Sequence, residues 1–417
     1  MRAAEPASVT IIGGGIVGLC CAIQLQSRFR DVAIIDPGEL KRAASYGNAG
    51  QLAVGEVVPL SGPDVLRSLP KWLADPLGPL AIRLQYFPRA VPWLMRFARE
   101  GRMSRVEQIS QQMAIMCDLI HQDYSPLLKA AKAEALVVNK DYLRLYRNED
   151  EWRSEGYRWT LREKAGLKFD TWRDDDLREY APYLAPQFSF GVTMKGRKFI
   201  SSLPALLGAL QTLFRSRGGI IVSDEVKGFE ISEDRVSGVF LKSGRRVSVS
   251  HAIVAAGAWS GRLTSKLGDR VPLESERGYH VMLPDPGVKP DRTVSYIARG
   301  LVMTPMQEGL RLVGTVEFAG LDAPPNFARA QKLIDAAKIV LPDLNTNGAE
   351  FWMGHRPSLP DALPIIDRSS RFANAYYAFG HGHMGLSWAA TTGRYLTSLM
   401  TGTQDKAELE PFRLSRF

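Results

Sequence analysis

Cysteine is scarce in this 417-residue chain: Cys20, Cys21 and Cys117 are too few for a disulfide framework, and none stands at zinc-ligand spacing. A disulfide-stapled secreted scaffold and a zinc module are thereby excluded, and a reducing, cytoplasmic setting is the expectation. None of the three is flanked by a Lys, Arg or His that would activate a thiol, so all three read as buried apolar residues. Histidine is sparse too, at six, and His381 and His383 have no third ligand at a useful spacing, so no metal is expected. The chain has no repeats and no low-complexity linker. Its 53 Lys and Arg against 44 Asp and Glu give a net charge of +9, which suits an anionic cofactor, an anionic substrate or an acidic membrane surface. The basic residues form no stripe interleaved with aromatics, so nucleic-acid binding is not expected. A long unbroken hydrophobic run is also missing. Val9 to Leu25 comes nearest, but Gly13, Gly14, Gly15 and Gly18 interrupt it, only Arg2 precedes it as a basic residue, and no small-residue cleavage site follows. It reads as a strand and a helix, not as a signal peptide.

What the chain does have is length and apolar content, 45% of residues, enough for two packed domains. Val9–Ile12, Ile16–Gln26 and Val32–Ile35 read strand, helix, strand. Proline-broken amphipathic pieces fill positions 63–105, with Trp72, Leu77, Pro79, Pro88, Pro92 and Trp93, and a helix is expected over Val106–Lys132. Tyr142–Tyr146 reads as a strand, Glu151–Lys164 as a helix, and Ser201–Arg217 as an amphipathic helix capped by Ser201 or Ser202. Closely spaced strands follow at Gly219–Val222, Val226–Ile231, Val236–Leu241, Arg246–Val249 and Ala252–Ala255. Then come a strand-rich block from Arg277 to Phe318, a helix over Ala328–Val340, and two short strands and a closing helix within Phe351–Met400. The fold class is α/β: a split Rossmann-type dinucleotide-binding domain with an inserted α+β substrate domain made of an antiparallel sheet and a helical cap.

Gly13-Gly14-Gly15-Ile16-Val17-Gly18 has GxGxxG spacing between the first strand and its helix. Gly13 makes the tight turn, Gly15 lets the backbone approach a pyrophosphate at the helix N-terminus, and Gly18 lets helix and sheet pack closely. Asp36, at the end of the next strand, can accept from a ribose hydroxyl. An acid there disfavours a ribose phosphate and so NADP, but leaves NAD and FAD open.

Four segments in order resemble the FAD-dependent D-amino acid oxidase superfamily over nearly the full length, and most closely its bacterial D-amino acid dehydrogenase branch. They are the glycine motif, the loop Ser45-Tyr46-Gly47-Asn48-Ala49-Gly50-Gln51, the turn Ala255-Ala256-Gly257-Ala258-Trp259, and the C-terminal pair Gly354-His355-Arg356-Pro357-Ser358 and Gly380-His381-Gly382-His383-Met384-Gly385. Asp36 departs from the glutamate common in relatives, a shorter carboxylate that still reaches a ribose. The resemblance implies noncovalent FAD, held by the glycine motif (Gly13, Gly15, Ile16, Val17, Gly18), Asp36, the loop residues Ser45, Asn48, Ala49, Gly50 and Gln51, Val226 at the adenine, Ala256, Gly257 and Trp259, and Gly382, His383, Met384 and Gly385. It places the FAD-binding domain at 1–88, 190–275 and 346–417, and the substrate-binding cap domain at 89–189 and 276–345. Independently of family, Gly380–Gly385 precedes the closing helix, whose N-terminal N–H groups would stabilise the negative charge of a reduced flavin.

By the same resemblance Arg356 binds the substrate carboxylate; its local sequence, Trp352 to Pro357, offers no acid to pair with. Tyr279 and His280, in Glu276-Arg277-Gly278-Tyr279-His280, are further candidates for the substrate amine or a side-chain hydroxyl, though strand alternation lets only one face a cavity. The implied reaction is oxidative deamination of D-amino acids by hydride transfer from the α-carbon to flavin N5, giving an imino acid and passing electrons to quinone or oxygen. Two alternatives stand beside it: a cyclic or N-substituted substrate such as cis-4-hydroxy-D-proline, D-proline or sarcosine, and a flavin-free NAD-binding Rossmann protein. The Trp72–Met95 pieces are read as a substrate cap or as a peripheral contact with the inner membrane. Oligomerisation is left open.

Overall fold

The computed structural model describes residues 8–65, 78, 80–403 and 406–417. Six strands form one sheet in the order Ile220–Ser223, Val32–Asp36, Val9–Ile12, His251–Val254, Ala375–Phe379 and Ile365–Arg368. The first five run parallel and the last is antiparallel. The strands are short and mostly apolar because both faces of the sheet are covered. Ile11, Ile34 and Ile253 join a core with the helices Ile16–Leu25 and Gly385–Thr401. On the other face Ile12, Ile35 and Val254 pack against the antiparallel ribbon Val226–Ser232, Arg235–Leu241 and Arg246–Ser248. The two helices approach closely because position 393 is glycine: a Cβ there would stand 2.8 Å from the carbonyl oxygen of Cys20. The three cysteines are free and buried. The Leu203–Ser216 helix is capped by Ser202, whose hydroxyl accepts from Ala205 N at 3.3 Å.

A second, nine-stranded sheet runs Glu350–Ser358, Glu274–Leu283, Gly309–Phe318, Leu301–Met306, Val294–Tyr296, Tyr142–Tyr146, Phe190–Met194 and Phe169–Arg173, with Leu80–Ile82 beside the end of Gly309–Phe318. One face is apolar: Tyr279, Val281, Leu283, Leu312 and Val294 pack on Leu333, Ile334 and Ala337 of the helix Ala328–Val340. On the opposite face the register sets His280, Val313, Val302, Ser295 and Arg144 in one cross-strand row. A small sheet of Gln51–Leu52, Lys198–Ile200 and Val137–Val138 completes the fold.

The expected helix over Val106–Lys132 is two helices, Met103–Asp118 and Ile120–Ala130. The one over Glu151–Lys164 is also two, Glu149–Ser154 and Gly156–Lys164, meeting where glycine weakens the helix and Glu155 turns its carboxylate to Arg144 at 3.1 Å. Phe351–Met400 holds three strands, not two, the first being the nine-residue Glu350–Ser358. The expected domain boundaries shift at three places. Val106, Ile109, Met113, Tyr124 and Leu127, expected in a cap, join the core of the six-stranded lobe, whereas Phe190–Met194 and Glu350–Ser358 pair in the larger sheet. Periodicity announces an apolar face but not which partner covers it. Trp72, Leu77 and Pro79 lie outside the described residues. The helix Phe87–Glu100 exposes Phe87 and Met95, and Leu84 just precedes it. No described helix is long and apolar enough to cross a membrane.

Candidate active site

The glycine turn sits at the carboxyl end of the Val9–Ile12 strand, where an open α/β sheet offers its ligand crevice. Gly13 has φ 113°, and a Cβ on it would stand 2.4 Å from Ala255 O; one on Gly18 would stand 1.9 Å from Gly13 O. Both positions therefore require glycine. A Cβ on Gly15 would meet only Ser45 Oγ, at 3.2 Å, so the backbone there stays approachable. Ile16 N donates to Ser45 Oγ at 2.9 Å, and Val17 is half-buried beside it. Asp36 holds the turn from the next strand, accepting from Gly14 N at 2.7 Å and Gly38 N at 2.8 Å. Asp224 N donates to Asp36 O, which brings Val226 to the same edge. Ala256 and Gly257 follow the His251–Val254 strand, and Gly257 turns with φ 55°. Trp259 lies farther off, its ring edge-on to His355 at 5.2 Å. Open backbone N–H groups over glycines with a carboxylate at the neighbouring strand end are the donor and acceptor set that a dinucleotide's pyrophosphate and ribose need.

The Ser45–Gln51 loop is held from the larger sheet by its backbone. Arg311 donates to Tyr46 O and Asn48 O at 3.0 and 2.8 Å, Thr304 to Ala49 O at 3.0 Å, and His280 Nδ1 lies 3.2 Å from Gly47 O. Asn48 Oδ1 accepts from Gly50 N, where φ is 77°, and Gln51 donates to Thr293 at 2.8 Å. Ser387, in the first turn of the closing helix, latches the loop's end: it accepts from Ala53 N and donates to Gln51 O, both at 3.0 Å. That helix begins at Gly385 after Met384. The turn before it is tied to the Arg356 strand, because Gly382 N donates to Pro357 O at 2.8 Å and Ser358 bridges His381. His381 is spent on Thr392 Oγ1 at 2.8 Å, and burial pushes its imidazole down to about 3. His383 instead lines a small cavity with Glu276, Ser358, Trp93 and Phe97.

Arg356 does have an acidic partner, contrary to what its local sequence suggests. Its NH1 donates to Glu276 Oε1 at 3.0 Å and to Thr315 O at 3.2 Å, and Glu276 Oε2 accepts from Ser358 Oγ at 2.9 Å. Glu276 stands opposite Arg356 in strand register. The guanidinium lies over Gly278, where a Cβ would stand 2.2 Å from NH2. The adjoining strand is irregular here, with Thr315 at φ 60°, a strained conformation for a β-branched residue, and its hydroxyl is buried without a partner. Tyr279 is not on this face. It is fully buried in the core against the Ala328–Val340 helix, donating to Glu317 at 2.7 Å and accepting from Asn326 N, and burial with the Glu317 bond pushes its phenol up to about 12. His280 does face the site lobe, but it stacks on Trp352 at 4.8 Å and supports the loop at Gly47, a positioning role in place of the expected substrate contact. Its imidazole is pushed down to about 3, by burial first and then by the Arg311 charge. Residues that sequence reasoning passed over are Glu276, Arg311, Ser358 and Ser387. Only Glu276 left a signal, since 276, 278 and 280 alternate onto one face.

A family profile described as FAD dependent oxidoreductase (DAO) matches residues 8–399. A D-amino-acid oxidase of Bradyrhizobium diazoefficiens is 36% identical over 425 residues, covering 99% of each chain, and a D-amino acid dehydrogenase of the same organism is 26% identical, covering 98% of each. Among solved structures, glycine oxidase from Geobacillus kaustophilus superposes with a TM-score of 0.74 at 22% identity over 98% of both chains, and glycine oxidase from Bacillus cereus with 0.73 at 21% over 99% of both; these share the fold. With FAD rather than NAD as its cofactor, the chain belongs to the DAO family of FAD-dependent oxidoreductases, of the D-amino acid oxidase and dehydrogenase type.

Proposed function

We propose that the protein oxidises the Cα–N bond of D-amino acids to the imino acid, with Arg356 as the carboxylate anchor. The observation that carries this is the coupling of the Arg356 strand to the Gly380–Gly385 turn through Gly382 N to Pro357 O and the Ser358–His381 bridge, which joins that strand to the turn preceding the closing helix. In this reading FAD, when bound, supplies the hydride acceptor. Gly13, Gly15, Ile16, Val17 and Gly18 would hold its pyrophosphate, Asp36 its ribose, and Val226, Ala256 and Gly257 its adenosine side. Ser45, Asn48, Ala49, Gly50 and Gln51 on one side and Gly382, His383, Met384 and Gly385 on the other would frame the ring. The chain's own contribution is orientation: the guanidinium fixes the carboxylate, and a rigid loop fixes the distance to Cα. The relative named D-amino-acid oxidase supports the substrate class.

A second reading, oxidation of cyclic or N-substituted amino acids such as D-proline, cis-4-hydroxy-D-proline or sarcosine, is favoured by structural neighbours named iminodiacetate oxidase and L-proline dehydrogenase. For the electron acceptor, membrane quinone is supported by the surface of the Phe87–Glu100 helix, where Phe87 and Met95 lie exposed among Arg89, Arg96 and Arg99. The test is anaerobic bleaching of the flavin by D-amino acids, their L-enantiomers, D-proline, cis-4-hydroxy-D-proline and sarcosine. Bleaching by several D-amino acids supports the main reading, bleaching by the cyclic or N-substituted compounds alone moves the assignment to the second, and none by any overturns both.

A further inference from the structure

We propose that the buried cluster of Arg144, Arg162 and Arg197 binds a small monovalent anion of halide size. None of these residues is assigned above to substrate or cofactor, so the inference stands apart from the proposed function. The three guanidiniums come from three elements: Arg144 from the Tyr142–Tyr146 strand, Arg162 from the Gly156–Lys164 helix, and Arg197 from the turn before the Lys198–Ile200 strand. Two carboxylates meet them. Glu56 accepts from Arg197 NH2 at 2.6 Å and lies 3.6 Å from Arg162 NH2, and Glu155 accepts from Arg144 NH2 at 3.1 Å. Arg158, which also acts on Glu155, is already matched by Asp64 at 2.8 Å. Three positive groups thus face two negative ones, and one positive charge is left over inside the protein.

The same cluster carries donors with nothing to donate to. Arg162 is 1% exposed, and its Nε and NH1 are buried without a hydrogen-bond partner; Nε of Arg144, a residue 4% exposed, is in the same condition. Both guanidiniums lie against one indole, Arg162 at 4.9 Å and Arg144 at 5.7 Å from the Trp159 ring centre. Like charges gathered this closely repel, and the repulsion is strong where water is excluded. Burial first, and then the Arg144 charge, push Arg162 down to about 10, which still leaves it charged at neutral pH. A water molecule can accept from these N–H groups but leaves the charge uncancelled, whereas a halide does both. The unpartnered nitrogens are out of reach of solvent, so the anion has to be small enough to be enclosed.

The experiment is thermal unfolding of the FAD-loaded protein at constant ionic strength, with chloride exchanged stepwise for gluconate, an anion too large to be enclosed. The wild-type unfolding temperature should rise with chloride along a saturation curve, by about 3 °C once chloride stands a hundredfold above its dissociation constant. Arg162→Met removes the excess charge and should abolish the response. Arg178→Met, which removes a charge from an exposed side chain, should keep it in full. A wild type that unfolds alike in chloride and gluconate would overturn the proposal, because water then serves the donors. An equal response in Arg162→Met would overturn it as well, because chloride then acts elsewhere on the basic surface. Should Arg162→Met fail to fold, crystals of the wild-type holoenzyme soaked in bromide decide: anomalous density within hydrogen-bond distance of Arg162 Nε or NH1 supports the site, and its absence there overturns it.

Discussion

Arg277 and Arg356 stand one register step apart on neighbouring strands, yet they face opposite sides of the larger sheet and live in different chemistry. Arg277 is fully enclosed. It donates to Gly320 O, Pro324 O and Ala323 O and lies 3.5 Å from the Glu317 carboxylate, so each of its three nitrogens is engaged. Arg356 is 19% exposed, has one carboxylate and one carbonyl, both on NH1, and leaves NH2 and Nε without a bonded partner among the described residues. The difference teaches that saturation, more than charge, separates a structural arginine from a binding one: a guanidinium with spare donors can still form the paired hydrogen bonds a carboxylate offers.

Breaking the saturated side should cost stability. Arg277→Met leaves the carbonyls of Gly320 and Ala323 without their donor, although Glu317 keeps Arg83 at 2.9 Å, and thermal or urea unfolding should report a loss of about 2–6 kcal/mol, with much of the protein recovered unfolded. Breaking the open side should cost catalysis instead. Arg356→Ala should lower kcat/KM for carboxylate substrates by about 2–5 kcal/mol, roughly 30- to 5000-fold, beside some loss of stability from the buried Glu276 it leaves with Ser358 alone; unchanged kinetics would remove Arg356 from the site. Tyr279→Phe, on the saturated side, deletes a hydroxyl that serves Glu317 and Asn326. A loss of about 1–2 kcal/mol in stability with kcat preserved is expected, and a fall in kcat at unchanged stability would return Tyr279 to the candidates.

A last effect, one of pH, should be shared by both faces. His280 toward the cofactor loop and His355 against Trp259 are held neutral in the folded chain, pushed down by burial to about 3 and about 4 from 6.5. Their folded values lie below the unfolded one, so the unfolded chain binds protons first on acidification. Stability is fully present above about pH 6.5 and is lost progressively as pH falls toward 4 and then 3. Unfolding temperatures measured from pH 7 to pH 4 should fall, and flat values across that window would show that neither ring is confined as described.

The glycine turn was legible because its demands are local: Gly13 and Gly18 are required by backbone atoms a few residues or one strand away, and Asp36 follows at the end of the next strand. Helix boundaries such as Ala328–Val340 were legible from periodicity alone, and capping chemistry narrowed the N-cap to Ser201 or Ser202, of which the structure uses Ser202. The Arg356–Glu276 pair was not, because its members are 80 positions apart and meet only through strand register. Tyr279 and His280 were similarly undecidable. Alternation says that one of them faces each side, and only the docking of the Ala328–Val340 helix decides which side is core.

The amino-acid sequence by itself determined the glycine turn and the carboxylate that braces it from the next strand, since those rest on backbone conformation and residue spacing along the chain. Only the tertiary structure decided which arginine keeps spare donors, which histidine is tied to Thr392, and which lobe the Met103–Asp118 and Ile120–Ala130 helices join. Those properties belong to pairings between distant segments, and a side chain's availability is set by every neighbour that folding brings to it.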